Sequence, residues 1–136
     1  MNITEVSKKY DIPTDTLRYY ERIGLIPPVT RDKHGYRDYT EYDCKWVYFA
    51  KVMRNAGVSI ESMIEYVSLF MQGECTKDVR KQILLDQQEE LEQKIKGMQE
   101  TLGYLKHKIN VYEDHILKYE EQLVPDKKNN NTSNKI

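Results

Sequence analysis

The sequence predicts a mainly α-helical chain, with a helix-turn-helix and a β-hairpin wing ahead of one long coiled-coil helix. Three observations carry this. Two short helical patterns flank Asp11-Ile12-Pro13 near the start of the chain. Helical spacing then fails across Leu25–Thr40, where Pro27-Pro28 and Asp32-Lys33-His34-Gly35 stand. Finally, from Leu91 to Leu123 apolar residues recur at alternating spacings of four and three, an unbroken heptad seam.

The first helix is expected at about residues 4–10, from Ile3, Val6 and Tyr10, and the second at about 14–23, from Leu17 and Tyr20. Thr14 is read as the N-cap of the second, its hydroxyl reaching the free amides of the first turn. Gly24 closes it, because glycine accepts the left-handed backbone of a C-cap. Two short helices joined by a tight turn form a helix-turn-helix unit. Beyond it, Pro28–Arg31 and Tyr36–Tyr39 read as the arms of a hairpin turning at Asp32–Gly35. Alternation along Tyr36-Arg37-Asp38-Tyr39 is expected to send both rings to one side, and Arg37 with Thr40 to the other.

Helical spacing resumes at Trp46, Val47, Phe49, Ala50 and Met53 and ends at Asn55-Ala56-Gly57. Ser59 caps a further helix with Met63, Ile64, Val67, Leu69, Phe70 and Met71 as its apolar positions; Glu61 suits its positive end and Gly73 stops it. The heptad seam then runs through Leu91, Ile95, Met98, Leu102, Leu105, Ile109, Tyr112, Ile116, Tyr119 and Leu123. A helix over Thr76–Leu123 would be about 70 Å long at ~1.5 Å per residue. Too little else in the chain is apolar enough to cover its stripe, so it needs a partner, most simply a second copy. The seam leaves parallel and antiparallel pairing open. Pro125 stops the helix, and the polar tail 124–136 reads as disordered. The expected organisation is therefore 1–73 as a winged helix-turn-helix domain, 76–123 as a dimerisation helix, and the tail.

Bulk properties narrow the function. The 136 residues are 39% hydrophobic and 32% charged, which suits exposed helices better than a large core. A formal charge of −1 conceals a gradient: residues 1–57 hold ten Lys and Arg against eight Asp and Glu, and the remainder holds 11 against 14. Within residues 18–37, Arg18, Arg22, Arg31, Lys33 and Arg37 oppose only Glu21 and Asp32, a local excess able to meet phosphate. No apolar run reaches the ~20 residues of a membrane span and no signal peptide opens the chain, so a cytoplasmic protein is expected. Cys44 and Cys75 are then expected as reduced thiols. No Ser-His-Asp set, Gly-rich phosphate loop or paired-carboxylate cleft stands out, and an enzyme is not expected. No cofactor is implied.

The segment Thr16–Pro28, TLRYYERIGLIPP, admits two readings. In one, Leu17 and Tyr20 pack inward and Arg18 and Arg22 are solvated. In the other, the helix lies against a polyanion. The second is favoured because this is the second helix of a helix-turn-helix and precedes a basic hairpin. Major-groove reading uses the N-terminal side chains of that helix, with Arg suited to phosphate or guanine edges and a braced Tyr hydroxyl to phosphate. Thr14, Asp15, Thr16, Arg18 and Tyr19 are the candidates, while Tyr20 is partly core.

The order ITEVSKKYDIPTDTLRYYERIGLIPP, HGYRDYTEYD and FAKVMRNAGVSIESM resembles the DNA-binding half of the MerR family of bacterial transcription regulators over about residues 1–73. The long heptad helix is similar to that family's dimerisation helix. The resemblance implies a winged helix-turn-helix homodimer held by an antiparallel coiled coil. It implies DNA contacts from Arg18 and Tyr19, from Tyr36 and Arg37 of the wing, and from Tyr39. It also implies binding to a pseudo-palindromic promoter site, which is bent and untwisted so that RNA polymerase can start, under control of an effector that favours one state. Ser7, Asp11 and His34 depart from the family's usual Ala, Gly and Asn.

Metal-responsive members pair a cysteine near Cys75 with a later cysteine loop, which this chain lacks; two or more soft ligands are needed for tight sensing, so no metal site is expected. His107 and His115 read as solvated surface. The C-terminal half is closer to the branch regulating aldehyde and electrophile detoxification, whose sensor cysteine aligns with Val52, a residue without redox chemistry. Cys75, in a Gly-Glu-Cys-Thr hinge, and Cys44, beside Lys45, remain the candidate thiol sensors. The rival reading is a coiled-coil scaffold whose N-terminal module binds a protein.

Overall fold

The computed structural model describes residues 1–123; the expected disordered tail, 124–136, lies outside them. Five helices and one 3-10 turn follow in order: α1 (Ile3–Tyr10), α2 (Thr14–Ile23), α3 (Glu41–Asn55), α4 (Ile60–Gln72), the 3-10 turn Glu74–Thr76, and α5 (Lys77–Leu123). The described residues divide into two units, Met1–Leu91 and 92–123.

Local chemistry sets the helix ends of the first unit. Asn2 accepts from the Glu5 amide while Glu5 returns a bond to the Asn2 amide, a full capping box for α1. Asp11 ends α1 in the left-handed region at φ 55°, where its short polar side chain is better tolerated than most. The chain therefore turns within two residues and starts α2. Thr14 does not cap that helix. Pro13 holds the cap position with extended backbone and no side-chain bond, and Thr14 is already helical. A proline fixed near φ −65° can enter the helix without a hydroxyl, so the Thr14 side chain is left at the surface of the first turn. Gly24 caps the far end at φ 84°.

Helix α3 begins five residues before its first expected apolar position, Trp46. Its start is fixed by a second capping box, Thr40 with Asp43. Ser59 caps α4 by accepting from the Ser62 amide, and Gly73 ends it.

Val6 of α1, Leu17 and Tyr20 of α2, Leu25, Ile26, Val47 and Ala50 of α3, and Met63 of α4 share one core with Tyr39. The Lys51 ammonium donates to the carbonyl of Tyr10, placing a cation at the negative end of α1 and fixing it to α3. The expected boundary at Gly73 marks the end of α4, but the packed unit runs on to Leu91. Ile83, Leu84 and Gln87 of α5 border a small cavity with Met53, Met63 and Tyr66, and the Gln87 amide donates to Ser62 at 3.2 Å.

In the second unit, the described residues 92–123 are helical and none is buried. Its seam residues stand in solvent, Met98 at 73% and Tyr112 at 60% exposure.

Candidate nucleic-acid interface

The wing is smaller than a two-stranded hairpin. A single antiparallel bridge joins Arg31 and Arg37, with the Asp32 amide donating to the Tyr36 carbonyl (2.8 Å) and the Asp38 amide to that of Thr30 (2.7 Å). Asp32 builds the tip, its carboxylate accepting from the amides of His34 (2.8 Å) and Tyr36 (3.0 Å).

What fastens this wing to α2 is Glu21. Its carboxylate, only 11% exposed, accepts from Arg37 Nε at 2.6 Å, from Arg31 at 3.3 Å and from the Val29 amide at 2.8 Å. One side chain of α2 thus binds both bridge partners and the backbone that leads into the wing. Charge-assisted bonds of this kind are roughly twice as strong as neutral ones. From its other flank the wing is held by Asp43, which is buried and accepts from the amides of Thr30 (3.3 Å) and Thr40 (2.9 Å). Sequence reading saw Glu21 only as an opposing charge. The capping signature Thr40-x-x-Asp43 could have located Asp43.

The expected site residues separate into three groups. Arg18, Tyr19 and Tyr36 are exposed, Tyr36 at 71%, and Thr14 and Thr16 are half-buried on the first turn of α2. Arg18 pairs with Asp15 at 2.9 Å, and the Arg22 guanidinium lies 5.3 Å from the Tyr19 ring centre. Arg37 forms the second group: half-buried, its guanidinium is engaged by Glu21 through Nε. The third is Tyr39. Its ring lies in the core at 2% exposure, not on the surface with Tyr36. The expectation that both rings share one side is therefore corrected. Residues three apart on an extended strand point to opposite faces, so Tyr36 faces outward while Tyr39 faces the core. The Tyr39 hydroxyl has no hydrogen-bond partner among the described residues. Burial pushes this phenol up from 10.0; Arg37 opposes the rise, Glu21 adds to it, and Arg31 and Arg18 oppose it more weakly. The charges that act on this phenol are three arginines and one carboxylate, all from α2 and the wing.

Of the two thiols, Cys44 is buried and Cys75 exposed. At the aligned sensor position, Val52 is 39% exposed. Among the described residues no group of three His, Cys, Asp or Glu side chains could hold a metal ion, and no helix is long and apolar enough to cross a membrane.

Residues 1–69 match the model of the MerR HTH family regulatory proteins. The chain belongs to the MerR family of helix-turn-helix transcription regulators. Over 91 residues it is 55% identical to the HTH-type transcriptional regulator AdhR of Bacillus subtilis, an alignment covering 67% of this chain and 65% of that protein, so that it spans just under two thirds of this relative. Over 107 residues it is 36% identical to heavy metal-dependent transcription regulator 2 of Rhizobium meliloti, covering 79% and 73% of the two chains. Two solved structures share the architecture. A MerR-family regulator from Listeria monocytogenes aligns at TM-score 0.83 with 44% identity, covering 90% of this chain and 92% of its own. HiNmlR, a MerR-family regulator lacking the sensor domain and solved bound to promoter DNA, aligns at 0.76 with 26% identity over 83% and 90%.

Proposed function

We propose that this chain is a homodimeric regulator that binds a pseudo-palindromic promoter site and distorts it to control transcription by RNA polymerase in the cytoplasm, in a stress or detoxification response. The observation that carries the reading is the Glu21 clamp. It holds the exposed residues of α2 and the exposed tip of the wing in one fixed relation, which a duplex requires and a generic protein-binding scaffold does not. Thr14, Thr16, Arg18, Tyr19 and Tyr36 touch DNA in this reading, Arg37 sets the wing, and Tyr39 supports it from beneath. Residues 1–73 read DNA and 76–123 pair, antiparallel, with a second copy through the exposed seam. No metal is invoked, and of the two thiols Cys75 is the one an electrophile in water reaches.

Titration of a fluorescent duplex carrying the chain's own upstream DNA, followed by anisotropy at several salt concentrations, tests this. Tight binding that weakens steeply with salt is expected, because phosphate contacts release counterions. Salt-insensitive binding, or none, would favour the scaffold reading instead.

A further inference from the structure

We propose that a cleft between α3 and α4 binds a small planar aromatic molecule bearing a single anionic group, and that this ligand is the effector of the DNA-reading module. The cleft, about 280 Å³, is bordered by Tyr42, Lys45, Trp46 and Phe49 of α3 and by Tyr66 and Phe70 of α4. That is near the lower end of ligand-site volumes, ~300–1,000 Å³, so the ligand is small. Five of the six bordering residues are aromatic, and they are organised around Trp46. Its ring centre lies 4.9 Å from Phe70 and 5.7 Å from Phe49, both near edge-to-face, and 6.1 Å from Tyr66. Trp46, Phe49, Tyr66 and Phe70 are each only half-buried and Tyr42 is 50% exposed. Faces and edges left open in this way accept another flat ring by offset stacking.

Charge selects the ligand's sign. Lys45 is exposed at the cleft and has no hydrogen bond or ion pair among the described residues. The Arg80 guanidinium already lies 5.2 Å from the Phe70 ring centre. Two cations disfavour a cationic guest that an aromatic cage alone would accept. One unpaired ammonium matches one carboxylate.

The cleft is built on the same helix that carries the base of the wing. Tyr42 and Lys45 flank Asp43, whose carboxylate holds the Thr30 and Thr40 amides. A ring stacked on the first two turns of α3 acts on the element that sets the wing, and it shifts DNA affinity only in so far as it binds one wing position better. This effector role rests on the proposed DNA-binding function; occupancy of the cleft does not.

The probe is 2-naphthoate. Trp46 is the single tryptophan, so its indole N–H gives one resonance in the ¹⁵N–¹H spectrum of the full chain. A saturable shift of that resonance is expected. Lys45→Gln should weaken 2-naphthoate about two- to fivefold, the range for an exposed charge pair, without weakening the uncharged 2-naphthalenemethanol. Tyr42→Ala, at a half-exposed position that spares the fold, should weaken both about two- to tenfold. No saturable shift, as when side chains of a second copy fill the cleft, would overturn the proposal, and so would equal loss of acid and alcohol in Lys45→Gln. In the second arm, saturating 2-naphthoate should change affinity for the upstream duplex. Saturable binding with unchanged DNA affinity overturns the effector role alone, whereas absence of any DNA binding overturns the underlying function and leaves the cleft result standing.

Discussion

Residues 1–91 and residues 92–123 are both largely helical, yet they reach that state by opposite means. The first region buries Val6, Leu17, Leu25, Ile26, Val47 and Met63 in its own core and caps the starts of α1, α3 and α4 with its own side chains. The second buries nothing, and Ile95, Leu102, Leu105, Ile109 and Tyr112 each stand about half or more exposed. An apolar stripe with heptad spacing gains its burial only against another helix. One region is thus specified by contacts within the chain. The other carries a stripe that nothing among the described residues buries, and that a second copy covers in the proposed homodimer.

The sharpest way to break this comparison is a charge in the seam. Ile109→Lys would place an unpaired ammonium in the helix–helix contact, costing on the order of 3 kcal/mol or more, about a hundredfold in dimer dissociation. Sedimentation equilibrium should show monomer at concentrations where the parent is dimeric. The core of residues 1–91 should keep its cooperative unfolding, since none of its buried residues is altered. Loss of folding throughout the chain would show that the two regions are not independently specified.

The next largest effect lies within the first region and separates holding the wing from touching DNA. Glu21→Ala leaves Arg37, 23% exposed, without its carboxylate and frees the Val29 amide. A loss of about 2–3 kcal/mol in urea denaturation is expected, the scale of charged hydrogen bonds left unmade. Arg37→Ala should also lower stability, and should weaken binding to every DNA sequence alike because the wing loses its anchor. Tyr36→Ala, at a residue 71% exposed, should leave the urea midpoint unchanged while lowering DNA affinity a few-fold. Equal stability losses in Arg37→Ala and Tyr36→Ala would remove the distinction between anchor and contact.

Much of this division was legible in the residues, and the failures have physical causes. Helix α2 was placed at its observed bounds because Gly24 and Pro13 punctuate it from both sides. The heptad helix was read nearly to the residue, since nine successive spacings that alternate between four and three leave little freedom. What periodicity could not show was which polar side chains turn back on the backbone. Thr14 looked like a cap because Thr is a good one, yet Pro13 already occupies that position. Asp43 carries no periodic signal, but capping and the wing amides make it a buried anchor. Glu21 became the hub of the wing only once residues 8 to 16 positions away returned to it.

Tyr39 offers the smallest effect and the finest test, because sequence resemblance and structure assign it different work. Its phenol is buried without a hydrogen-bond partner among the described residues, so Tyr39→Phe removes an unsatisfied polar atom and keeps the ring. Stability at pH 7 should rise by up to about 1 kcal/mol. Affinity for DNA should stay within twofold of the parent; a larger loss would mean that the hydroxyl leaves the core to donate to phosphate. The pH dependence supplies an independent check. Burial raises the folded-state pKa of both Tyr39 and Tyr20 above 10.0. Below pH 10 the phenols are neutral in folded and unfolded chains, and their contribution to stability is fully present. As pH climbs from 10 through the raised folded values, the unfolded chain loses its protons first, so the fold is destabilised. The urea midpoint of the parent should therefore fall above pH 10, and Tyr39→Phe should show a shallower fall with only the Tyr20 share remaining. An unchanged slope would mean that the Tyr39 phenol meets solvent as freely in the folded protein as in the unfolded one, and would return it to the DNA-facing side of the wing.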